Sequence, residues 1–265
     1  MLVACSILVS SAVLILWLGN FTNIDIVLAD AAFDPESRTF PMRHAWIAET
    51  FNHAILKTLL SILGAFAVVC AFWDALHPHR TRAHATRIGL RVVALSAVCV
   101  PLAISLLKRA STSHCPWDLQ RYGGTAPYVR LLEWMPAGIA PGHCLPGGHA
   151  SSALWLMSVA AFWWPHDRGR AIAIGIAMLA FGCLVGWGQQ LRGAHFLTHT
   201  LWSAWLACAL VLSIYRLVAR LPLQSGRLVS GSIPPQGKET SIAIAVPERL
   251  SGPEICTGTQ RLTSI

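Results

Sequence analysis

The chain has 265 residues, of which 54% are hydrophobic and only 12% charged. So little charge cannot solvate a water-soluble fold of this length, which excludes a soluble globular protein and makes lipid the solvent for most of the chain. The formal net charge of +8 comes with no nucleic-acid-binding motif, so the placement of Lys and Arg says more than their sum.

Apolar windows near 2–19, 54–76, 88–107, 150–165, 171–187 and 198–219 each approach the roughly 20 residues that cross a bilayer. Backbone in lipid must bond within its own segment. The expectation is therefore an all-α polytopic membrane protein, six transmembrane helices forming a bundle over residues 1–220. The first window lacks a basic leader and a cleavage site and reads as a retained helix. Its Leu-Val-Ala-Cys5 string imitates a lipid-attachment site but has no apolar run ahead of it, so no lipidation is expected. Residues 221–265 are rich in Ser, Gly, Pro and Thr and read as a flexible cytoplasmic tail.

Arg80, Arg82, Arg87 and Arg91 lie between the second and third windows, Arg168 and Arg170 between the fourth and fifth, and Arg216 and Arg220 at the end of the sixth. Positive charge in short loops marks the cytoplasmic side, so both termini are expected inside. Asp25, Asp30, Asp34, Glu36 and Glu49, and the long loop between windows three and four, are expected outside, in the periplasm or at the exterior of a bacterial inner membrane.

Three polar clusters interrupt the apolar chain: KRASTSHCPWDLQRYGG from Lys108, LPGGHASS from Leu145 and GQQLRGAHFLTH from Gly188. Counting crossings puts all three on the outer face. Pro146-Gly147-Gly148-His149 leads into a helix, where free N–H groups and the positive helix end suit a phosphate; a helix-start turn with a chance His is the bland alternative. Arg192, His195 and His199 are spaced three and four apart, so a helix would put them on one face. Two His at that spacing also suit a metal ion. Lys108, taken alone, reads as an interfacial anchor.

In this order the clusters resemble the type 2 phosphatidic acid phosphatase family, which shares its catalytic pocket with vanadium haloperoxidases; the likeness covers roughly residues 100–215. The family's first motif is Lys, six residues, then Arg-Pro; here Lys108 precedes Cys115-Pro116 by the same spacing. Its second, Pro-Ser-Gly-His, corresponds to Pro146-Gly147-Gly148-His149. Its third puts Arg six residues before a nucleophilic His, Gly two before it and Asp four after. Gln189, Gly193, His195 and His199 hold the Arg, Gly, His and Asp places, with an Arg instead at 192.

The resemblance implies a metal-independent phosphatase without cofactors, acting on a lipid phosphate through a phosphohistidine. His195 would be the nucleophile, His149 the general acid, and His199 the orienting partner in place of Asp. Lys108, Arg192 and the N–H groups of Gly147 and Gly148 would bind phosphate. Arg121 is a candidate substitute for the missing first-motif Arg, and Asp118 for the missing carboxylate. Cys115 and Cys144 lie in the outer loop, an oxidising place, and are expected to form a disulfide joining the first motif to the second. Phosphotransfer between lipids through the same intermediate, a metal-dependent hydrolase and a non-catalytic protein with a decayed pocket remain as alternatives.

Overall fold

The computed structural model describes residues 2–77 and 83–221. Helix α1 (Leu2–Phe21) carries no charge and buries only Ile15. A helix apolar all round and bare on most of its surface belongs in lipid. The Trp205 indole fixes it to the last helix by donating to the Leu8 carbonyl at 2.8 Å. Helix α2 (Ile24–Ala32) buries Asp25 and Ala29 and packs against the sixth and seventh helices. A 3-10 turn (Pro41–Arg43) and a wide π-helical stretch (Ile47–Leu56) run into α3 (Lys57–Leu76).

Helix α4 (His84–Ala110) is the central post. It buries Val92, Val93, Val100 and Ile104 and packs on α3 and on helices downstream. Helix α5 (Gly148–Leu154) continues as a 3-10 helix over Trp155–Phe162. Helices α6 (Arg168–Leu191) and α7 (Leu197–Arg220) complete the bundle. Among the described residues the structure has no strand, only isolated bridges at Asp34–Thr39 and Leu119–Ala126.

Among the described residues, five helical segments are long and apolar enough to cross a membrane: Leu2–Phe21, Pro41–Leu76, His84–Ala110, Arg168–Leu191 and Leu197–Arg220. The window expected at 150–165 is helical as well, formed by the short α5 and its 3-10 extension. The helix expected to begin near residue 54 reaches back through the π-helical stretch from Ile47, with the 3-10 turn Pro41–Arg43 just ahead of it, which changes what lies beside the polar clusters. The proposed tail, 221–265, lies outside the described residues except for Leu221.

In lipid there is no hydrophobic drive between helices, so close approach of backbones holds them together. At Gly186 a Cβ would overlap the Thr200 side chain and stand 3.3 Å from the Ala150 Cβ. That glycine lets α5, α6 and α7 meet just below the polar clusters. At the opposite end of the bundle, Arg87 of α4 and Asp74 of α3 are buried as an ion pair at 3.8 Å.

Candidate active site

The end of α4, the start of α5, the end of α6 and the start of α7 converge at one end of the bundle. Gly147 N–H donates to the His199 carbonyl at 3.0 Å, joining α5 to α7. The Ser203 hydroxyl lies 2.9 Å from the Gly147 carbonyl and 3.0 Å from that of His199, so its one proton is shared across the same seam. The expectation that the Gly147 N–H faces phosphate is corrected here, because that donor is already used. At Gly148 a Cβ would stand 3.6 Å from Lys108 Cδ and 3.8 Å from its Nζ, which puts the Lys108 side chain over the start of α5.

Three histidines line up under Lys108. Ring centres are 5.8 Å apart for His149 and His195, and 5.9 Å for His195 and His199. His149 Nδ1, His195 Nε2 and His199 Nδ1 are all buried with no hydrogen-bond partner. Buried polar atoms are nearly always paired, so three unpartnered nitrogens on adjacent rings make this cluster a candidate ligand site. His195 is 3% exposed. Burial first, then the nearby His199, His149 and Lys108, push its protonation well below 6.5, so the ring is neutral near pH 7. A neutral imidazole keeps the lone pair that a nucleophile needs.

Arg192 follows α6 and is 7% exposed. Its guanidinium donates to Gln189 Oε1 and to the Arg43 carbonyl, both at 3.1 Å, and faces Glu49 at 3.8 Å. Gln189, in the place where the family has Arg, thus holds the displaced Arg192, whose charge reaches His149 and His53.

Two of the sequence candidates lie elsewhere. Arg121 makes paired hydrogen bonds of 2.7 Å to the Asp30 carboxylate of α2, and Tyr122 adds one at 2.9 Å. The Arg121 guanidinium holds the Asp30 carboxyl below its usual range. Bidentate pairing satisfies that guanidinium at the surface, so it does not replace the first-motif Arg. The Asp118 carboxylate accepts from the Cys115 N–H at 3.3 Å, closing its own 3-10 turn.

Five polar groups were missed. His53, on the π-helical stretch, packs against His149 with ring centres 4.3 Å apart and planes tilted by 43°. Glu49 and Lys57 flank it, and Asn52 donates to the Val185 carbonyl at 3.1 Å. Their spacing along one helical face was the available signal, but the apolar window began at residue 54, after Glu49, Asn52 and His53, and took in only Lys57. Asp25 of α2 was read as a loop charge. It accepts from the Thr198 N–H at 3.0 Å and from the Thr198 hydroxyl, satisfying a free donor at the start of α7. Burial raises its carboxyl above 3.8, against the opposing effect of the Thr198 bonds.

The loop from 111 to 147 is closed by a Cys115–Cys144 disulfide. Its ends run side by side through Gly142 N–H to Thr112 O and Cys144 N–H to Ser113 O, at 3.1 and 2.9 Å. It also rests on the α6–α7 turn, where Trp117 N–H donates to Gly193 O at 3.0 Å. Among the described residues, the group of three metal-ligand atoms within 4.8 Å of one another is Cys115, Cys144 and His195. His149, His195 and His199 do not form such a group.

Gly193 has φ of +73° and a Cβ there would overlap the Phe40 ring. Gly193→Ala is therefore expected to cost about 2–4 kcal/mol, from left-handed backbone strain plus overpacking. The check is the thermal midpoint of the purified protein in detergent. A midpoint equal to wild type would show that the turn relaxes without loss.

The sequence model of the PAP2 superfamily matches residues 88–222. Comparison with curated proteins and with solved structures gave no match. The matched range includes Lys108, His149 and His195 and half of the whole sequence, and on that ground the chain belongs to the PAP2 (type 2 phosphatidic acid phosphatase) superfamily.

Proposed function

We propose that this protein removes phosphate from a lipid headgroup by double displacement at His195. Membership of the superfamily points to a phosphatase or a related phosphoryl-transfer activity, and the five apolar helices to an integral membrane protein. The observation that carries the finer reading is His195 Nε2, buried and unpartnered between His149 and His199 and beneath Lys108.

Nε2 attacks phosphorus in line, and the bond to the lipid oxygen breaks as His149 delivers a proton to it. His149 then takes a proton from water. The water oxygen attacks the same phosphorus, the P–N bond breaks, and inorganic phosphate leaves. Lys108 and Arg192 balance the charge on the phosphoryl oxygens, an electrostatic contribution that is strongest where water is excluded.

An amphiphilic substrate fits the surroundings. A cavity of about 490 Å³ opens between α1, α4 and α7, lined by Leu16, Leu107, Trp202 and Leu206 and reaching Pro146 beside the site. Such a wall suits an apolar tail. The α5 column is read as the sixth crossing, because seven α-helical and eight 3-10 residues rise roughly 26 Å together. With six crossings both termini are cytoplasmic and the site faces outward.

The test is phosphate release by the detergent-purified protein from a panel of lipid phosphates, including phosphatidate, an isoprenyl pyrophosphate and a phosphorylated glycolipid, with EDTA present. Release that persists in EDTA is expected, and the panel names the substrate. Inactivity on every lipid, or loss with EDTA, would overturn this reading.

A further inference from the structure

The nucleophile's second ring nitrogen faces sulfur. Cys144 is fully buried, and its Sγ, bonded to Cys115, lies 3.4 Å from His195 Nδ1. In the family pattern a carboxylate four residues after the nucleophile would serve that nitrogen. Here His199 occupies the place, but its ring lies edge-on at 64° with centres 5.9 Å apart, and its own Nδ1 has no partner.

A disulfide sulfur carries no proton and can only accept, as can a carbonyl oxygen. With that sulfur as the acceptor at Nδ1, the neutral imidazole keeps its proton there and leaves Nε2 as the lone pair. Nε2 is the atom left unpartnered on the side of His149.

We propose that Cys144 is the positioning residue that replaces the missing carboxylate, and that the Cys115–Cys144 bridge makes nucleophile competence redox-sensitive. The proposal rests on reading His195 as the nucleophile. A dithiol reductant gives up two electrons and two protons, the S–S bond breaks, the reductant leaves as its own disulfide, and two thiols remain. Cys144 then owns a proton, with His195 Nδ1 at 3.4 Å and the Ala194 carbonyl at 3.2 Å in reach. Donation to Nδ1 moves the imidazole proton to Nε2 and closes the lone pair to phosphorus. The reductant's way in is Cys115, 8% exposed, since Cys144 is 0% exposed. Among the described residues, the free cysteines Cys70, Cys99, Cys183 and Cys208 lie within α3, α4, α6 and α7, and the exposed Cys5 lies in α1.

The experiment treats the full-length protein in detergent with dithiothreitol and then reoxidises it, following both turnover and the histidine ring. A wrong tautomer costs an otherwise intact catalytic triad about 10⁴-fold. Phosphate release is expected to fall at least about 100-fold on reduction and to return on reoxidation. The Cys115→Ser/Cys144→Ser double variant should be slow with or without reductant, and Cys5→Ser should respond as wild type does.

Nitrogen-15 histidine spectra, with the His195 resonance assigned through His195→Gln, report the tautomer without reference to turnover. Nδ1–H is expected in the bridged protein and Nε2–H in the reduced one. An unchanged His195 tautomer on reduction, full turnover by the reduced protein, a double variant as fast as wild type, or a loss that reoxidation does not restore would each overturn the proposal. If no lipid phosphate is hydrolysed in either state, the phosphatase reading fails, while the ring signal still decides whether the bridge sets the tautomer.

Discussion

His195→Ala is expected to lower phosphate release by at least about 10⁴-fold, the scale on which removing a covalent nucleophile acts when the rest of a site survives. The argument is geometric. The ring is buried, its Nε2 has no protein partner, and burial keeps it neutral well below pH 6.5. No other described histidine combines a sulfur-held Nδ1 with a free Nε2. Alkaline quench after mixing with a phosphorus-32 lipid phosphate, which preserves a phosphohistidine, should trap label on wild type and none on the variant. Label retained by His195→Ala at wild-type level would move the nucleophile to another residue.

His149→Ala is expected to cost about 10²–10⁴-fold, the usual range for a general acid–base group. The size should depend on the leaving group. A lipid alkoxide is a poor one and needs the proton, whereas a pyrophosphate linkage expels an already stable phosphate. The loss should therefore be greater with a phosphomonoester than with an isoprenyl pyrophosphate. Equal losses on both would make His149 a binding or packing residue. His53, packed at 4.3 Å against the same ring, remains in place in that variant, so any residual rate reports what the second imidazole contributes.

Helix identity was legible because lipid forces each segment to satisfy its own backbone. Runs such as LVACSILVSSAVLILWLGNF admit no other solution at that length. The exception was the region around His149, where α5 gives way to a 3-10 helix after Leu154. Apolar composition does not distinguish those two helices. The outer segment was illegible for a related reason: α2 is only nine residues, too short to stand out by periodicity, and its position depends on Asp25 reaching Thr198, 173 residues away. Missing α2 also left Arg121 looking available, when Asp30 on that helix holds it.

Local residue chemistry and spacing set the apolar runs, drew attention to His149, Arg192 and His195 and gave the expectation of the Cys115–Cys144 pair, whereas Lys108, an anchor when taken alone, entered the candidate site only through the family resemblance. Tertiary structure decided which groups touch. It packed His53 against His149, used the Gly147 N–H to tie α5 to α7, gave Arg192 to Gln189 and Glu49, and put Cys144 sulfur rather than His199 against His195 Nδ1. The physical reason is that spacing fixes which face of a helix a residue occupies, whereas helix crossings fix what that face meets, and crossings depend on close approaches such as Gly186 against Thr200 that no single segment encodes.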